Sequence, residues 1–383
     1  MRIAIIGSYF PPWRGGVETY LYNLSRHLQR RGHQVSVICG DLPAETGVEW
    51  IEGIKVERLR VLGRIYGTPV IPKLLWTLAD EEADIMHANF PGPYAASLAS
   101  VVSRFRGIPA VLTWHNDLPP VTSVANLLAL AHDRVVLPLY LPHFRFIIAT
   151  SQAYAETSQV LSVRPGSVVV VPNGVDVRRF NPGLHGDEVR ARLRLADSKI
   201  VLFVGALNRW HAYKGLDMLI EAMALVRKEC PKCKLLIVGG GELAAKYHRL
   251  ALELGVGDYV LFAGDIADEE LPSYYACCDV LVLPSKDRSE GFGLTILEAN
   301  ATGKPVIGSS VGGIPSVISD GYNGLLVPPN DPRALAAAMT KLLEDEDLRL
   351  SMGRNGRRVA QRHDWSIVAE QTERVYERAI AMQ

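Results

Sequence analysis

The sequence predicts two doubly wound α/β domains in tandem, and three observations lead there. Short runs rich in β-branched residues alternate with helix-periodic segments. The runs are continuously apolar, as expected for parallel strands covered on both faces. The pattern stops near 172–198, a stretch rich in Pro, Gly, Asn and charge, and then begins again. A chain of 383 residues, 48% hydrophobic, exceeds one ordinary core and suits two domains of this kind.

In the first half, strands are expected at Ile3–Gly7, Val35–Cys39, Ile85–His87, Ala110–Trp114, Phe146–Thr150 and Val168–Val171, with a helix over Val17–Arg30. In the second, strands are expected at Ile200–Gly205, Lys234–Gly239, Val260–Phe262, Val280–Leu283, Val306–Gly308 and Gly324–Val327, with helices over Lys214–Lys228 and Pro332–Leu343. A polar helix from about Ser366 to Ala381 closes the chain. The domains are expected at 1–180 and 181–365.

The 41 basic residues balance 41 acidic ones, which gives no prior for a nucleic-acid partner. Arg-Ile-Ala-Ile-Ile-Gly after Met1 is too short for a signal peptide and reads as a buried strand. No window is long and apolar enough to span a bilayer, so cytoplasmic residence is the expectation. Cys230 and Cys233 form a lone Cys-x-x-Cys, open to reading as plain thiols, a local disulfide or half of a metal site, although a structural zinc needs about four ligands. Cys277 and Cys278 read as core. Asp345-Glu-Asp347 is the one Asp-x-Asp, and it reads as the solvated end of a helix.

Ligands of doubly wound sheets lie beyond the carboxyl ends of the strands, so the segments after each strand carry the chemistry. After the first comes Ser8-Tyr-Phe-Pro-Pro-Trp-Arg-Gly-Gly-Val-Glu18. Gly15 and Gly16 at a helix start let backbone amides approach an anion, although an ordinary glycine turn would look the same. The segment is neither Gly-x-Gly-x-x-Gly nor a Walker A loop. Thr113-Trp-His115 ends another strand and aims a histidine at the ligand side, or holds a structural one. In the second half, Arg209 and Lys214 flank a strand-to-helix turn and suit a diphosphate; solvated loop charges are the alternative. Richest is Pro284-Ser-Lys-Asp-Arg-Ser-Glu290-Gly-Phe-Gly-Leu-Thr-Ile-Leu-Glu298. It offers the free amides of a helix start, Gly291 to Leu294, between two carboxylates able to accept from hydroxyls. The turn Gly312-Gly-Ile-Pro315 follows the next strand.

Glu290-x7-Glu298 within Glu-Gly-Phe-Gly-Leu resembles the signature of the family 4 glycosyltransferases of GT-B fold. The Pro-Pro…Gly-Gly loop, Thr-Trp-His, Pro172-Asn-Gly-Val-Asp176, Tyr213-Lys-Gly, Leu283-Pro-Ser and Gly312-Gly-Ile-Pro match in order along nearly the whole chain. The resemblance implies transfer of a hexose, with retention and without a metal, from a nucleotide diphosphate sugar (UDP- or GDP-linked) to a glycan or lipid-linked acceptor. It implies that residues 366–383 complete the first domain. It places Gly15 and Gly16 at the donor diphosphate, Glu298 at the ribose, and Glu290, Gly291, Phe292, Gly293 and Leu294 at sugar hydroxyls and phosphates. Lys214 would neutralise the diphosphate, and His115 would hold the transferring sugar. The base is expected against the backbone around Gly239–Glu242, including Gly241, and Gly264–Ile266. Where the family commonly has Arg, this chain has Ala206, so Arg209 stands in as the substitute cation. Ser316 replaces a common Glu.

Preorganised cations and amides can take up the charge on a departing diphosphate, so Arg209, Lys214 and the helix-start amides make a divalent ion unnecessary. Glu290 is expected to position the sugar, with attack on the same face, and the two domains are expected to close over the donor. The proline-broken apolar stretch Leu118–Phe146, with Arg58, Arg60, Arg64 and Lys73 upstream, reads either as a surface for anionic lipid headgroups or as a buried helix pair with solvated arginines. An epimerase, or a binder without turnover, are the competing functions.

Overall fold

The computed structural model describes residues 1–13, 15–65, 67–118, 127, 130–162 and 166–382. The chain divides into two compact units, Met1–Asn173 with Trp365–Gln383, and Gly174–Asp364.

The first unit is built on an eight-stranded sheet, with strands β1 (Arg2–Ile6), β2 (Gln34–Gly40), β3 (Gly47–Ile51), β4 (Ile54–Leu59), β7 (Ile85–Phe90), β8 (Ala110–Trp114), β9 (Phe146–Ala149) and β10 (Val168–Val170) in the order β10-β9-β8-β7-β1-β2-β4-β3. All neighbours are parallel except β3, which runs antiparallel to β4. A separate hairpin pairs β5 (Gly63–Ile65) with β6 (Thr68–Val70). Successive residues of β1 enter opposite cores: Ala4 and Ile6 face one, Ile3 and Ile5 the other. Burial on both faces is why these strands read as unbroken apolar runs. β3 and β5 escape sequence reading because they are exposed, and β6 because it is only three residues long.

The second unit holds a six-stranded parallel sheet: β11 (Lys199–Val204), β12 (Cys233–Val238), β13 (Val260–Gly264), β14 (Val280–Leu283), β15 (Val306–Ser309) and β16 (Gly324–Val327), in the order β13-β12-β11-β14-β15-β16. In β11, Val201 and Phe203 face one core while Ile200 and Leu202 face the other. The stretch 172–198 is no bare connector. Val175, Phe180, Val189 and Leu195 are buried in the second core, so its polar composition hides a packed apolar set.

In each sheet the order reverses beside the strand that starts it, between β1 and β7 and between β11 and β14. Loops leaving such a pair at their carboxyl ends diverge to opposite faces and open a crevice. In the first unit the loop after β1 carries Gly15 and leads to the helix start at Gly16, and Asn89 stands near the carboxyl end of β7; in the second, the loops carry Lys214 and Glu290.

The terminal helix Trp365–Ala381 belongs to the first unit, where Trp365, Val368, Val375 and Tyr376 share a core with Leu24 and Leu28 of the helix Gly16–Arg30. The Tyr376 hydroxyl lies 2.6 Å from His87 Nδ1, and His87 Nε2 lies 2.7 Å from Thr113 Oγ1. Burial pushes the His87 imidazole down to about 3, so it is neutral. Tyr376→Phe strips a buried ring nitrogen of its partner and is expected to cost about 1–3 kcal/mol, read as a lowered thermal midpoint. An unchanged midpoint would mean that the contact does not anchor the helix.

Candidate functional site

β11 gives way to a 3₁₀ turn, Arg209–Lys214, capped by Asn208, whose side-chain oxygen accepts from the amides of Trp210 and His211 at 3.1 Å each. Gly215 then turns at φ 74° into the helix Leu216–Glu229. A Cβ at Gly215 would sit 2.0 Å from the Pro284 carbonyl oxygen, so glycine is needed there for both conformation and space. The Lys286 amide donates to the Tyr213 carbonyl at 2.7 Å. The loops after β11 and β14 are thus stitched together, and the stitch brings Lys214 Nζ to 3.2 Å from Glu290 Oε2, with both side chains largely buried. Ser285 Oγ donates to the same carboxylate oxygen at 3.4 Å. His211 lies alongside, its Nδ1 2.8 Å from Asn208 Oδ1; burial first, and then the Lys214 charge, lower its pKa to about 4.

Glu290 leads into the helix Leu294–Ala301, whose N-cap Gly293 has φ 92°. Leu294 is the first helical residue, so its amide and those of Phe292 and Gly293 have no helical partner. In the first turn the Thr295 hydroxyl is buried without a hydrogen bond. The Gly312–Gly313 turn packs directly on this segment: Cβ atoms there would lie 2.1 Å from the Glu290 carbonyl oxygen and 2.0 Å from that of Gly291. The Gly313 amide donates to the Glu290 carbonyl at 2.9 Å. These glycines therefore fix the backbone beneath Glu290.

One turn on, Glu298 accepts from Tyr275 Oη at 2.5 Å. Burial raises its carboxyl pKa to about 7, against the pull of the Tyr275 hydrogen bond and the Arg179 and Lys214 charges. The loops after β11, β12 and β13 are laced: Leu207 N donates to Gly240 O at 2.7 Å, Gly239 N to Gly264 O at 2.8 Å, and Gly240 N to Asp265 Oδ1 at 2.8 Å. Gly241, at φ 146°, lies where a Cβ would meet the Leu207 carbonyl at 2.3 Å, and half-buried Ile266 follows Asp265.

In the first unit, His115 directly follows β8 and is buried; its ring meets Tyr20 edge-to-face at 4.6 Å between centroids. Its Nε2 lies 3.1 Å from Asn89 Oδ1, and Asn89 Nδ2 donates to the Ile6 carbonyl at 3.2 Å. That second bond turns the Asn89 oxygen toward His115, so Nε2 carries the proton and Nδ1 is the acceptor. Burial lowers the His115 pKa to about 3, keeping the ring neutral. Gly15 caps the helix Gly16–Arg30, and the Glu18 carboxylate lies over it, 2.3 Å from where a Gly15 Cβ would be. Burial lifts Glu18 to about 7.

Residues 187–359 match the family "Glycosyl transferases group 1" and residues 14–179 match "Glycosyltransferase Family 4". The O-antigen chain mannosyltransferase C of Escherichia coli is 31% identical over 363 residues, spanning 94% of this chain and 93% of that protein. This chain belongs to the group 1, family 4-type glycosyltransferases. A GDP-mannose-dependent α-(1-6)-phosphatidylinositol monomannoside mannosyltransferase of Mycobacterium tuberculosis is 29% identical over 93% of this chain and 92% of its own. Among solved structures, the sucrose-phosphate synthase of Thermosynechococcus elongatus superposes over 100% of both chains with a TM-score of 0.80 at 29% identity. Anabaena HepE, in complex with UDP and glucose, covers 98% of this chain and 99% of its own at a TM-score of 0.81 and 24% identity. The fold is GT-B.

Of the residues that the sequence singles out, this glycosyltransferase brings Lys214, Glu290 and the helix start of Gly291–Leu294 together, with Glu298 within reach of the Lys214 charge. Arg209 is not gathered in. It is 64% exposed and turned to Glu242 at 3.4 Å, while its amide donates to the same carboxylate at 3.0 Å. His211, Asn208, Tyr275 and Asn89 escape sequence reading because each acts through a neighbour and has no motif of its own. Arg58 is not a surface arginine: it is buried and donates to Glu49 and to the Phe10 and Pro11 carbonyls. Asp345 ends the helix Pro332–Glu344 on an exposed stretch, as expected, and also caps the start of the next helix, accepting from Leu348 N at 2.8 Å. Cys230 and Cys233 are free thiols. Leu118–Phe146 lies partly outside the described residues. Of its described part, Leu137, Tyr140 and Leu141 are buried but Val135, Val136 and Leu139 are exposed, which a buried helix pair would not allow.

Glu18 and Glu298 keep their protons to about pH 7 in the folded chain, against 4.5 ordinarily. Between those values the unfolded state binds fewer protons, so these groups make stability fall as pH rises from about 4.5 to 7, each by at most about 1.4 kcal/mol per pH unit. Glu298→Gln or Glu18→Gln is expected to flatten that slope in urea unfolding at pH 5, 6 and 7. A slope unchanged in both variants would contradict the burial of these carboxyls.

Proposed function

We propose that this glycosyltransferase transfers a hexose from a UDP- or GDP-sugar to a glycan or lipid-linked acceptor, with retention and without a divalent ion. The observation that carries the reading is the buried Lys214–Glu290 pair set against an uncapped helix start. Two buried opposite charges are expensive to assemble and gain little stability against an apolar pair of the same shape, so their place on a crevice loop favours a ligand role. A diphosphate offers Lys214 a stronger anionic partner and the helix-start amides a charge to meet. Glu290, its charge partly released, accepts from sugar hydroxyls. Glu298, ionised on binding, accepts from the ribose hydroxyls, with Tyr275 holding it in place.

In the reaction, the bond from the sugar C1 to the diphosphate oxygen breaks and its electron pair leaves with the phosphate. The acceptor oxygen bonds to C1 from the same face, and its proton passes to a departing phosphate oxygen. Lys214 and the amides stabilise the charge that develops there. His115, neutral with Nδ1 as acceptor, receives a hydroxyl of the transferring sugar. Glu290 is already engaged by Lys214 and Ser285, which disfavours it as a nucleophile; a trapped glycosyl-Glu290 adduct would contradict this assignment. Arg104, Arg134 and Arg145 stand exposed near the exposed apolar Phe105, Val135 and Leu139 in sequence, which supports peripheral contact with anionic lipid.

The test is turnover of UDP-glucose and GDP-mannose across an acceptor panel, with the product anomer assigned by NMR. Retention, and full activity in a chelator, are the expected results. Lys214→Ala should lower kcat by about 10²–10³, the loss typical when one preorganised donor is removed. Nucleotide binding should tighten as pH rises towards 7 and level off above it, because Glu298, raised to about 7 by burial, must lose its proton to accept from the ribose. Inversion, or activity restored only by a divalent ion, would overturn the mechanism.

A further inference from the structure

We propose that His211 reads the transferring hexose: its Nε2 accepts a hydrogen bond from one sugar hydroxyl, beside those that Glu290 takes. The inference rests on the donor reading above and adds a residue to it. His211 lies within the 3₁₀ turn Arg209–Lys214, and the cap of that turn orients its ring. Asn208 Oδ1 accepts from the amides of Trp210 and His211 at 3.1 Å each, so the oxygen end of the Asn208 side chain faces the turn. His211 Nδ1 lies 2.8 Å from the same oxygen. Only an N–H makes that contact favourable, so Nδ1 carries the proton and Nε2 holds the lone pair. The tautomer is the reverse of the one at His115.

The lone pair is unused by the fold. Nε2 makes no hydrogen bond among the described residues, on a side chain that is half-buried. It also shares its surroundings with the Lys214–Glu290 pair. His211 and Lys214 border the same Tyr213 ring, at 6.1 Å between ring centroids and 5.9 Å from Lys214 Nζ to the centroid. The charges that the imidazole feels are Lys214 on its own turn, Glu290 from the loop after β14 and Glu242 from the loop after β12. Burial and the Lys214 charge outweigh the two carboxylates and keep the ring neutral. A neutral ring with its lone pair outward repels phosphate oxygens, which bring no proton, and accepts from hydroxyls, which do. The site thus divides by polarity. Lys214 and the amides of the helix start are donors and suit the diphosphate, whereas Nε2 and the Glu290 carboxylate are acceptors and suit the hexose. Glu290 alone would accept equally from hydroxyls in several orientations. A second acceptor, fixed by the Asn208 cap, demands a hydroxyl in one direction and so makes the pair sensitive to which sugar is bound.

The experiment titrates the full chain with UDP, GDP, UDP-glucose, GDP-mannose and the singly deoxygenated 2-, 3-, 4- and 6-deoxy forms of each sugar nucleotide. In the wild type, one deoxygenation is expected to weaken binding at least about tenfold through the acceptor left unpaired at His211. His211→Phe should bind the parent sugar nucleotide as weakly as that deoxy compound and make no distinction between the two, while the losses at the other positions persist. His211→Gln, whose amide oxygen is again an acceptor, should restore part of the distinction. UDP and GDP should bind the wild type and both variants alike. A second readout needs no altered binding site: in the ¹⁵N spectrum of the wild-type imidazoles, the His211 Nε2 signal, assigned by its loss in His211→Gln, should stay unprotonated and move with the sugar nucleotide but not with UDP or GDP. Equal weakening of UDP and UDP-glucose by His211→Phe, a protonated Nε2 in the complex, or deoxygenation losses that are the same in wild type and His211→Phe at every position would overturn the proposal. The two readings fail differently. If no sugar nucleotide binds the wild type, the donor reading itself falls, whereas binding to which His211 is indifferent counts against this assignment alone.

Discussion

The second unit is organised around one buried ion pair, Lys214 with Glu290 at 3.2 Å. Nearly every local peculiarity of the surrounding chain serves to assemble it. Gly215 is glycine because Pro284 O lies where a side chain would begin, and Gly312 and Gly313 are glycines because the Glu290 and Gly291 carbonyls lie where theirs would begin. The Lys286–Tyr213 hydrogen bond holds the two loops in register. Such a pair contributes little net stability once desolvation is counted. The sequence constraints placed around it are better understood as the cost of a preorganised charge, which an anionic ligand can exploit without waiting for the protein to rearrange.

The first unit uses neutral polar groups where the second uses charges. Tyr376, His87, Thr113 and Tyr20 form a continuous buried hydrogen-bonded chain, and His115 stacks against its Tyr20 end. Fully satisfied networks of this kind rigidify what they touch. Here they tie the terminal helix to the strand end from which His115 emerges, and Asn89 fixes the tautomer. A His held neutral by burial, with one nitrogen committed, presents a single acceptor of defined direction. That is what recognition of a hydroxyl requires and what a titrating His would not supply.

Most of the fold was legible because burial on both faces writes parallel strands as apolar runs; β8 and β14 occupy the segments expected from that rule alone. Elements lacking that signature, β3 and the β5–β6 hairpin, were invisible. The polar stretch after Pro172 misled because its composition concealed the buried Val175, Phe180, Val189 and Leu195. At the candidate site, Lys214, Glu290 and Glu298 were legible from motif spacing. The direction of Arg209 was not: its partner Glu242 lies on another loop, and only the tertiary lacing of the loops after β11 and β12 brings the two together. Arg58 carried the same charge as its neighbours in sequence, but inward pairing with Glu49 and two carbonyls removed it from the surface.

If Lys214 passes from Glu290 to a donor diphosphate while Glu290 passes to sugar hydroxyls, removing the Glu290 charge has opposite effects on two ligands. Calorimetric titration of Glu290→Gln with a nucleoside diphosphate and with the matching nucleotide sugar measures this directly. The account predicts that the diphosphate alone binds as tightly as to the wild type or more so, because Lys214 is freed, while the nucleotide sugar loses affinity. Equal weakening of both ligands, or no change in either, would contradict it.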